Sequence, residues 1–116
     1  MDDLEICKRI ADIDGVGVEF KKPYNAYFLK GVSGEYEPEG EYNPLTDDAL
    51  CFGFIVNDKI EIEFDSDLNF VCAIGDAWVN DENLNRAICM VKIKAHKDQS
   101  WKQIKALKIL RLQSKL

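Results

Sequence analysis

Adjacent carboxylates stand at Asp2-Asp3, Asp47-Asp48 and Asp81-Glu82, and paired acids can share acid and base work when their surroundings drive their pKa values apart. Each pair, however, precedes an apolar-periodic run, where a carboxylate caps exposed N–H groups and favours the positive end of a helix dipole. Capping accounts for these acids without chemistry. Thiol catalysis would need one of Cys7, Cys51, Cys72 or Cys89 beside the single histidine, His96, acting as base. All four thiols fall in apolar stretches, where burial raises a thiol pKa and lowers its reactivity, so reduced core cysteines are expected. They stand 44, 21 and 17 residues apart with no C-x-x-C pair, and with one histidine a zinc site would have to be assembled from cysteines of different elements. No metal, cofactor or catalytic group is expected. Asp65-Ser66-Asp67 has cation-holding oxygens but lacks the glycine and terminal glutamate of an EF-hand loop, and reads as a solvated turn. Gly15-Val16-Gly17 has neither the third glycine nor the following helix of a dinucleotide fingerprint.

The elements that must position these residues are legible from periodicity. Leu4, Cys7 and Ala11, with Ile10 beside them, predict a short helix ended by Gly15. Val16, Val18 and Phe20 alternate as a strand stopped by Pro23, and a second strand is predicted at Ala26 to Leu29. From Gly31 to Pro44 the chain is polar and acidic, with Gly34-Glu35-Tyr36-Glu37-Pro38 nearly repeated in Gly40-Glu41-Tyr42-Asn43-Pro44; a loop of this length is mobile, functional or a plain connector. Thr46-Asp47-Asp48 then supplies a cap and two first-turn carboxylates to a helix with Leu45, Ala49, Phe52 and Val56 on one stripe and Leu50 and Phe54 beside it. Gly53 in its middle costs about 1 kcal/mol against alanine, so either the helix stops early or something packs close. Ile60, Ile62 and Phe64 alternate with Lys59, Glu61 and Glu63, and Phe70, Cys72 and Ile74 alternate on the return, which predicts a hairpin. Asn80 or Asp81 is expected to cap a helix with Leu84, Ala87, Ile88, Val91 and Ala95 on one face. Ser100 can cap a last segment, 101–116, whose apolar residues are spread around the helical circle.

A hydrophobic share of 47% with 31% charged residues lies near globular averages and excludes wholesale disorder or a fibrous repeat. With 116 residues one domain is expected, an α+β domain over 1–99 followed by a basic extension at 100–116. No apolar run is long enough to span a membrane and the N-terminus is acidic where a secretion signal would be basic, so a cytoplasmic protein is expected. The net charge of -6 hides a polarity: residues 1–91 carry twenty acids and seven bases (-13), whereas 92–116 carry eight bases and one acid (+7).

Two surfaces could bind. One is the loop with Glu35, Tyr36, Glu37, Glu39, Glu41 and Tyr42, where aromatic anchors alternate with acids and suit a basic partner surface. The other is the tail with Trp101, Lys102, Lys105, Lys108 and Arg111, which can reach phosphates by charge or dock on the acidic body of its own or a second copy, an arrangement that would cover its apolar residues. The stretch from Tyr42-Asn43-Pro44 through Leu50-Cys51, answered by Trp78-Val79-Asn80-Asp81 through Ile88-Cys89, writes a turn, a cap and a helix start twice. In that order the chain resembles the phage ABA sandwich domain, a family of small bacteriophage and prophage proteins without an agreed catalytic motif. The resemblance runs from about Leu4 to Lys97 and implies helices on both faces of an antiparallel sheet. Glu61 and Glu63 would be costly under a helix, so their hairpin is expected at an edge or beyond the helical cover. The function expected is that of a non-enzymatic phage or prophage accessory protein that binds a host or phage protein and modulates host defence; the alternative is a nucleic-acid-associated regulator using the basic tail.

Overall fold

Asp2 Oδ1 accepts the Glu5 N–H at 2.8 Å and opens helix α1, Asp3–Asp14; Gly15, at φ 69°, closes it in the left-handed conformation a Cβ disfavours. A computed structural model describes residues 1–30 and 40–97 of the chain. Along α1 the solvent face carries the i,i+4 pairs Glu5–Arg9 (3.2 Å) and Lys8–Asp12 (2.9 Å), while Ile6, Cys7, Ile10 and Ala11 face the core. Ile6 takes the buried place expected of Leu4, which stays half-buried.

Strands β1, Val18–Lys21, and β2, Ala26–Leu29, form an antiparallel pair with Val18 opposite Leu29 and Lys21 opposite Ala26. Between them a 3-10 turn, Lys22–Tyr24, uses the fixed φ of Pro23 and ends at Asn25, at φ 50°. The strand begins at Val18 rather than Val16, because Val16 donates its N–H to Ala11 O (2.8 Å) and still belongs to the end of α1.

Asp47 caps helix α2, Asp48–Asp58, accepting the Leu50 N–H at 3.0 Å. The helix does not stop at Gly53, and a Cβ there would meet nothing within 4 Å. Its buried side is Cys51 and Phe54; of the stripe expected to face the core, Leu45 packs half-buried against it, but Ala49, Phe52 and Val56 face solvent, with Phe52 67% and Val56 59% exposed. A helix apolar on nearly all sides offers no polar face to orient it, so the packing of Cys51 and Phe54 decided its rotation.

Strands β3, Glu61–Phe64, β4, Phe70–Ile74, and β5, Ala77–Asp81, make a second antiparallel sheet in the order β3-β4-β5. β3 is an edge strand and all four of its residues are exposed, which removes the cost of burying Glu61 and Glu63. β5 falls where the sequence reading has only a turn and a cap; Gly75, at φ 57°, and Asp76 make the two-residue connection that lets it pair with β4 from Ile74–Ala77 to Phe70–Asp81. Paired residues share a face, so Cys72, Ala77 and Val79 point to the core while Glu61, Trp78 and Asn80 lie on the face that adds nothing to it. The strands therefore divide between sheets of two and three strands rather than one.

The last described helix, α3, covers residues 84–97 and packs against the sheets, burying Ala87, Ile88, Cys89, Val91, Ile93 and Ala95. Its cap is Asn83, whose Oδ1 accepts the Arg86 N–H at 3.0 Å, and not Asn80 or Asp81, which the pairing with β4 holds in strand. The whole is one α+β domain with a shared core drawn from all three helices and both sheets. The segment 100–116 lies outside the described residues.

The β3–β4 turn places Leu68, 76% exposed, at φ 64°. Leu68→Gly is expected to raise stability by about 0.5–1 kcal/mol, because the left-handed region penalises a Cβ and no packing is lost. Urea unfolding checks this, and a lower midpoint would show that the turn is not strained.

Candidate functional site

Among the residues singled out for binding, Glu35, Tyr36, Glu37, Glu39, Trp101, Lys102, Lys105, Lys108 and Arg111 lie outside the described residues. Glu41 and Tyr42 are described, and they separate sharply. Glu41 is exposed and bridges Phe28 at the margin of β2. Tyr42 is only 7% exposed and belongs to the core, so it is not a surface anchor. Alternation is the physical reason: in an extended stretch consecutive side chains point to opposite sides, and Glu41 takes the wet one.

These two residues also define how the acidic segment is held. Leu29 donates its N–H to Gly40 O, and Tyr42 donates to Tyr27 O, both at 2.8 Å. Leu29 and Gly40, on either side of segment 31–39, are therefore neighbours at β2. Segment 31–39 itself, with three glutamates and Tyr36 in nine residues, lies outside the described residues.

Next along the chain from Tyr42 lies a cluster of groups that sequence spacing did not connect. Asn43 Oδ1 accepts from Cys7 Sγ (3.3 Å) and from the Leu45 N–H (3.1 Å), and Cys51 Sγ donates to Pro44 O (2.9 Å). Burial, with a smaller push from Asp3, raises the Cys7 thiol to about 11. Cys89 is raised by its hydrogen bond with Cys51 and by burial, and Cys72 by burial. The Tyr42 hydroxyl is raised by burial and then by Asp14, and it finds no hydrogen-bond partner among the described residues. All four cysteines are free and buried. At neutral pH the raised thiols of Cys7, Cys72 and Cys89 are protonated packing groups, whereas Cys51 is lowered by its hydrogen bond with Cys89.

His96 is exposed and lines two clefts. One, between α1 and α3, is walled by Arg9, Asp12, Ile13, Ile93 and Lys97; the other sits at the ends of α2 and α3 against Asn57, Asp58, Ile74 and Lys92. Neither contains a thiol, and on α3 itself Cys89 lies two helical turns from His96, about 10 Å along the axis. No group of three or more metal-ligating side chains occurs among the described residues. The adjacent acids are likewise engaged structurally. Besides the caps, Asp3 Oδ1 accepts from Arg86 (2.8 Å), Asp48 Oδ1 from Asn85 (2.8 Å), and Asp81 Oδ1 from the Asn83 N–H (2.8 Å). In the β3–β4 turn Asp65 accepts from Asn80 and from the N–H groups of Asn69 and Asp67, which together hold its carboxyl below the usual range.

Sequence reasoning missed Lys92. It is 8% exposed, and its ammonium donates to Asp58 (2.6 Å) and Asp14 (3.0 Å) and lies 4.5 Å from the Phe54 ring centroid. One lysine thus joins the C-terminal ends of α1 and α2 to α3. A signal existed, since Lys92 follows Ile88 by four residues and so sits on the apolar face of α3. Its engagement also moves the charge boundary: Lys92, Lys94 and Lys97 belong to α3, so residues 1–97 carry twenty acids and ten bases (-10), and 98–116 carry five bases and one acid (+4).

No protein-family model matches the chain, and neither a curated protein nor a solved structure matches it. Among the described residues no helix is long and apolar enough to cross a membrane.

Proposed function

We propose that this protein is a small acidic phage or prophage accessory protein that works by binding, not catalysis, in the host cytoplasm, and that segment 31–39 with Glu41 is its recognition element. The observation that carries this reading is the pair of 2.8 Å backbone hydrogen bonds, Leu29 to Gly40 and Tyr42 to Tyr27, that brings the residues flanking the acidic segment together at β2. Fixing the ends of a loop lowers the entropy lost when it engages a partner. Glutamates with one tyrosine, displayed on a domain of net charge -10 over residues 1–97, suit a basic protein surface by long-range steering and an aromatic contact. Host-defence proteins that carry nucleic-acid-binding surfaces are partners of that chemistry, and the resemblance to phage ABA sandwich proteins sets the context. The burial of all four thiols and the absence of any of them from the two clefts that His96 lines support binding over hydrolysis.

Affinity capture from a lysogenic host, read by mass spectrometry, tests the proposal. A basic protein retained by the natural chain should be lost when Glu35, Glu37, Glu39 and Glu41 are all replaced by lysine, with the circular dichroism unchanged. Equal capture by both would remove the acidic segment from the reading.

A further inference from the structure

Cys51 on α2 and Cys89 on α3 meet where the two helices pack, and a hydrogen bond joins their thiols. Cys51 Sγ is itself anchored, donating to Pro44 O at 2.9 Å, so Cys89 is the donor between the two sulfurs. The other thiols are placed differently. Cys7 donates to Asn43 Oδ1 at 3.3 Å, and Cys72 stands on the core face of β4. Cys51 also lines a cleft of about 420 Å³ between α2 and α3, walled by Phe52, Ile55, Leu84 and Ile88 with Asp48 at its margin; Cys89 does not reach it. The pair therefore has an outer member beside a cleft, although only 1% exposed, and an inner member that is wholly buried. The same hydrogen bond lowers Cys51 and raises Cys89, which assigns the thiolate to the outer sulfur.

We propose that Cys51 and Cys89 are a reversible oxidation site, at which a small uncharged hydroperoxide entering the α2–α3 cleft oxidises Cys51 and Cys89 then closes a disulfide. The cleft selects the oxidant: its apolar walls and Asp48 favour a small neutral molecule over a bulky anionic disulfide. In the first step the Cys51 thiolate attacks one peroxide oxygen, the O–O bond breaks, and the departing hydroxide takes up a proton to leave as water. Cys51 is then a sulfenic acid. In the second step the Cys89 sulfur attacks the Cys51 sulfur, the S–O bond breaks, and hydroxide leaves with the Cys89 proton as a second water. Two thiols are oxidised to one disulfide and one peroxide is reduced to two waters. An external thiol reverses the bond by exchange. Because the hydrogen bond already sets the two sulfurs side by side, closure demands little movement of α2 against α3, and the crosslink encloses β3, β4 and β5 in one loop.

The full chain, reduced and then freed of reductant, is treated with hydrogen peroxide at neutral pH without denaturant. Intact mass is expected to fall by two hydrogens, and peptide mapping should find Cys51 joined to Cys89; dithiothreitol should restore the starting mass. The crosslinked protein should melt about 5–15 °C above the reduced one, since the loop it closes restricts the unfolded chain. In Cys89→Ala the first step should proceed without the second, leaving a sulfenic acid on Cys51 that dimedone traps. In Cys51→Ala, Cys89 should stay reduced, because it has no contact with the cleft. The result on the natural chain stands whether or not either variant folds. A folded protein that keeps all four thiols, a linkage through Cys7 or Cys72, a Cys51–Cys89 bond that forms only in urea, or a crosslinked protein that melts below the reduced one overturns the proposal.

Discussion

Lys92→Ala is expected to cost about 3 kcal/mol of folding free energy, the largest loss predicted for any single charged residue of the domain. The side chain is 9% exposed and sits between Asp14 at 3.0 Å and Asp58 at 2.6 Å. Removing it leaves two carboxylates facing each other at the joined ends of α1 and α2, with no compensating cation. Both keep close to a third of their surface in water, which places the cost at the low end of the range for buried pairs. Loss of the contact with the Phe54 ring adds to it. Lys92→Met, which keeps most of the volume, should cost about 2 kcal/mol, and adding Asp14→Asn and Asp58→Asn should recover most of that. Urea unfolding midpoints measure all three. A Lys92→Ala protein as stable as the parent would mean that the three helix ends are held by apolar packing alone.

Alkali should destabilise this protein well before it unfolds an ordinary domain of its size. Burial raises the thiols of Cys7 and Cys72 and the hydroxyl of Tyr42, and a hydrogen bond with Cys51 followed by burial raises Cys89, each favouring the protonated folded state, while Cys51, lowered by that same hydrogen bond, acts the other way. Lys92 is raised too, although burial alone would lower it, because its hydrogen bonds to Asp58 and Asp14 outweigh the desolvation. Groups raised in the folded state stabilise it fully below their unfolded pKa values and lose that contribution as pH rises toward the folded ones. For the thiols the loss begins near pH 8.5, and Cys7, pushed up to about 11, accounts for on the order of 2 kcal/mol of it. Lys92 adds its share above about pH 10.4. Urea midpoints measured with reductant at neutral pH and at about pH 9 and 10.5 should fall steadily, and Cys7→Ala should flatten the first part of the decline. A constant midpoint across that range would show that the thiols ionise in the folded protein without cost.

Periodic elements with strong local signals were legible: β2 at Ala26–Leu29, β4 at Phe70–Ile74, the start of α2 to within one residue, with Asp47 rather than Thr46 as its cap, and most of the buried face of α3. Each rests on interactions within a few residues, where side-chain alternation or a cap determines the outcome. Other features depended on what lay across the chain. β5 exists because β4 was available to pair with it, and that pairing moved the α3 cap from the Asn80–Asp81 region to Asn83. The rotation of α2 was likewise undecided locally, because a helix apolar on most sides presents several equivalent faces, and packing turned Ala49, Phe52 and Val56 outward. Of the candidate binding residues, Glu41 is exposed as expected, whereas Tyr42 sits in the core.

The α+β class, the acidic character of segment 31–39 and the buried, free thiols follow from the order of residues alone, because composition and short-range periodicity govern them. Only the tertiary structure decided that the residues flanking segment 31–39 meet on β2, that Lys92 binds two helix ends, and that Ala49, Phe52 and Val56 of α2 stand exposed. Those outcomes are contacts between residues distant in sequence, and their energies depend on which surfaces the fold brings together.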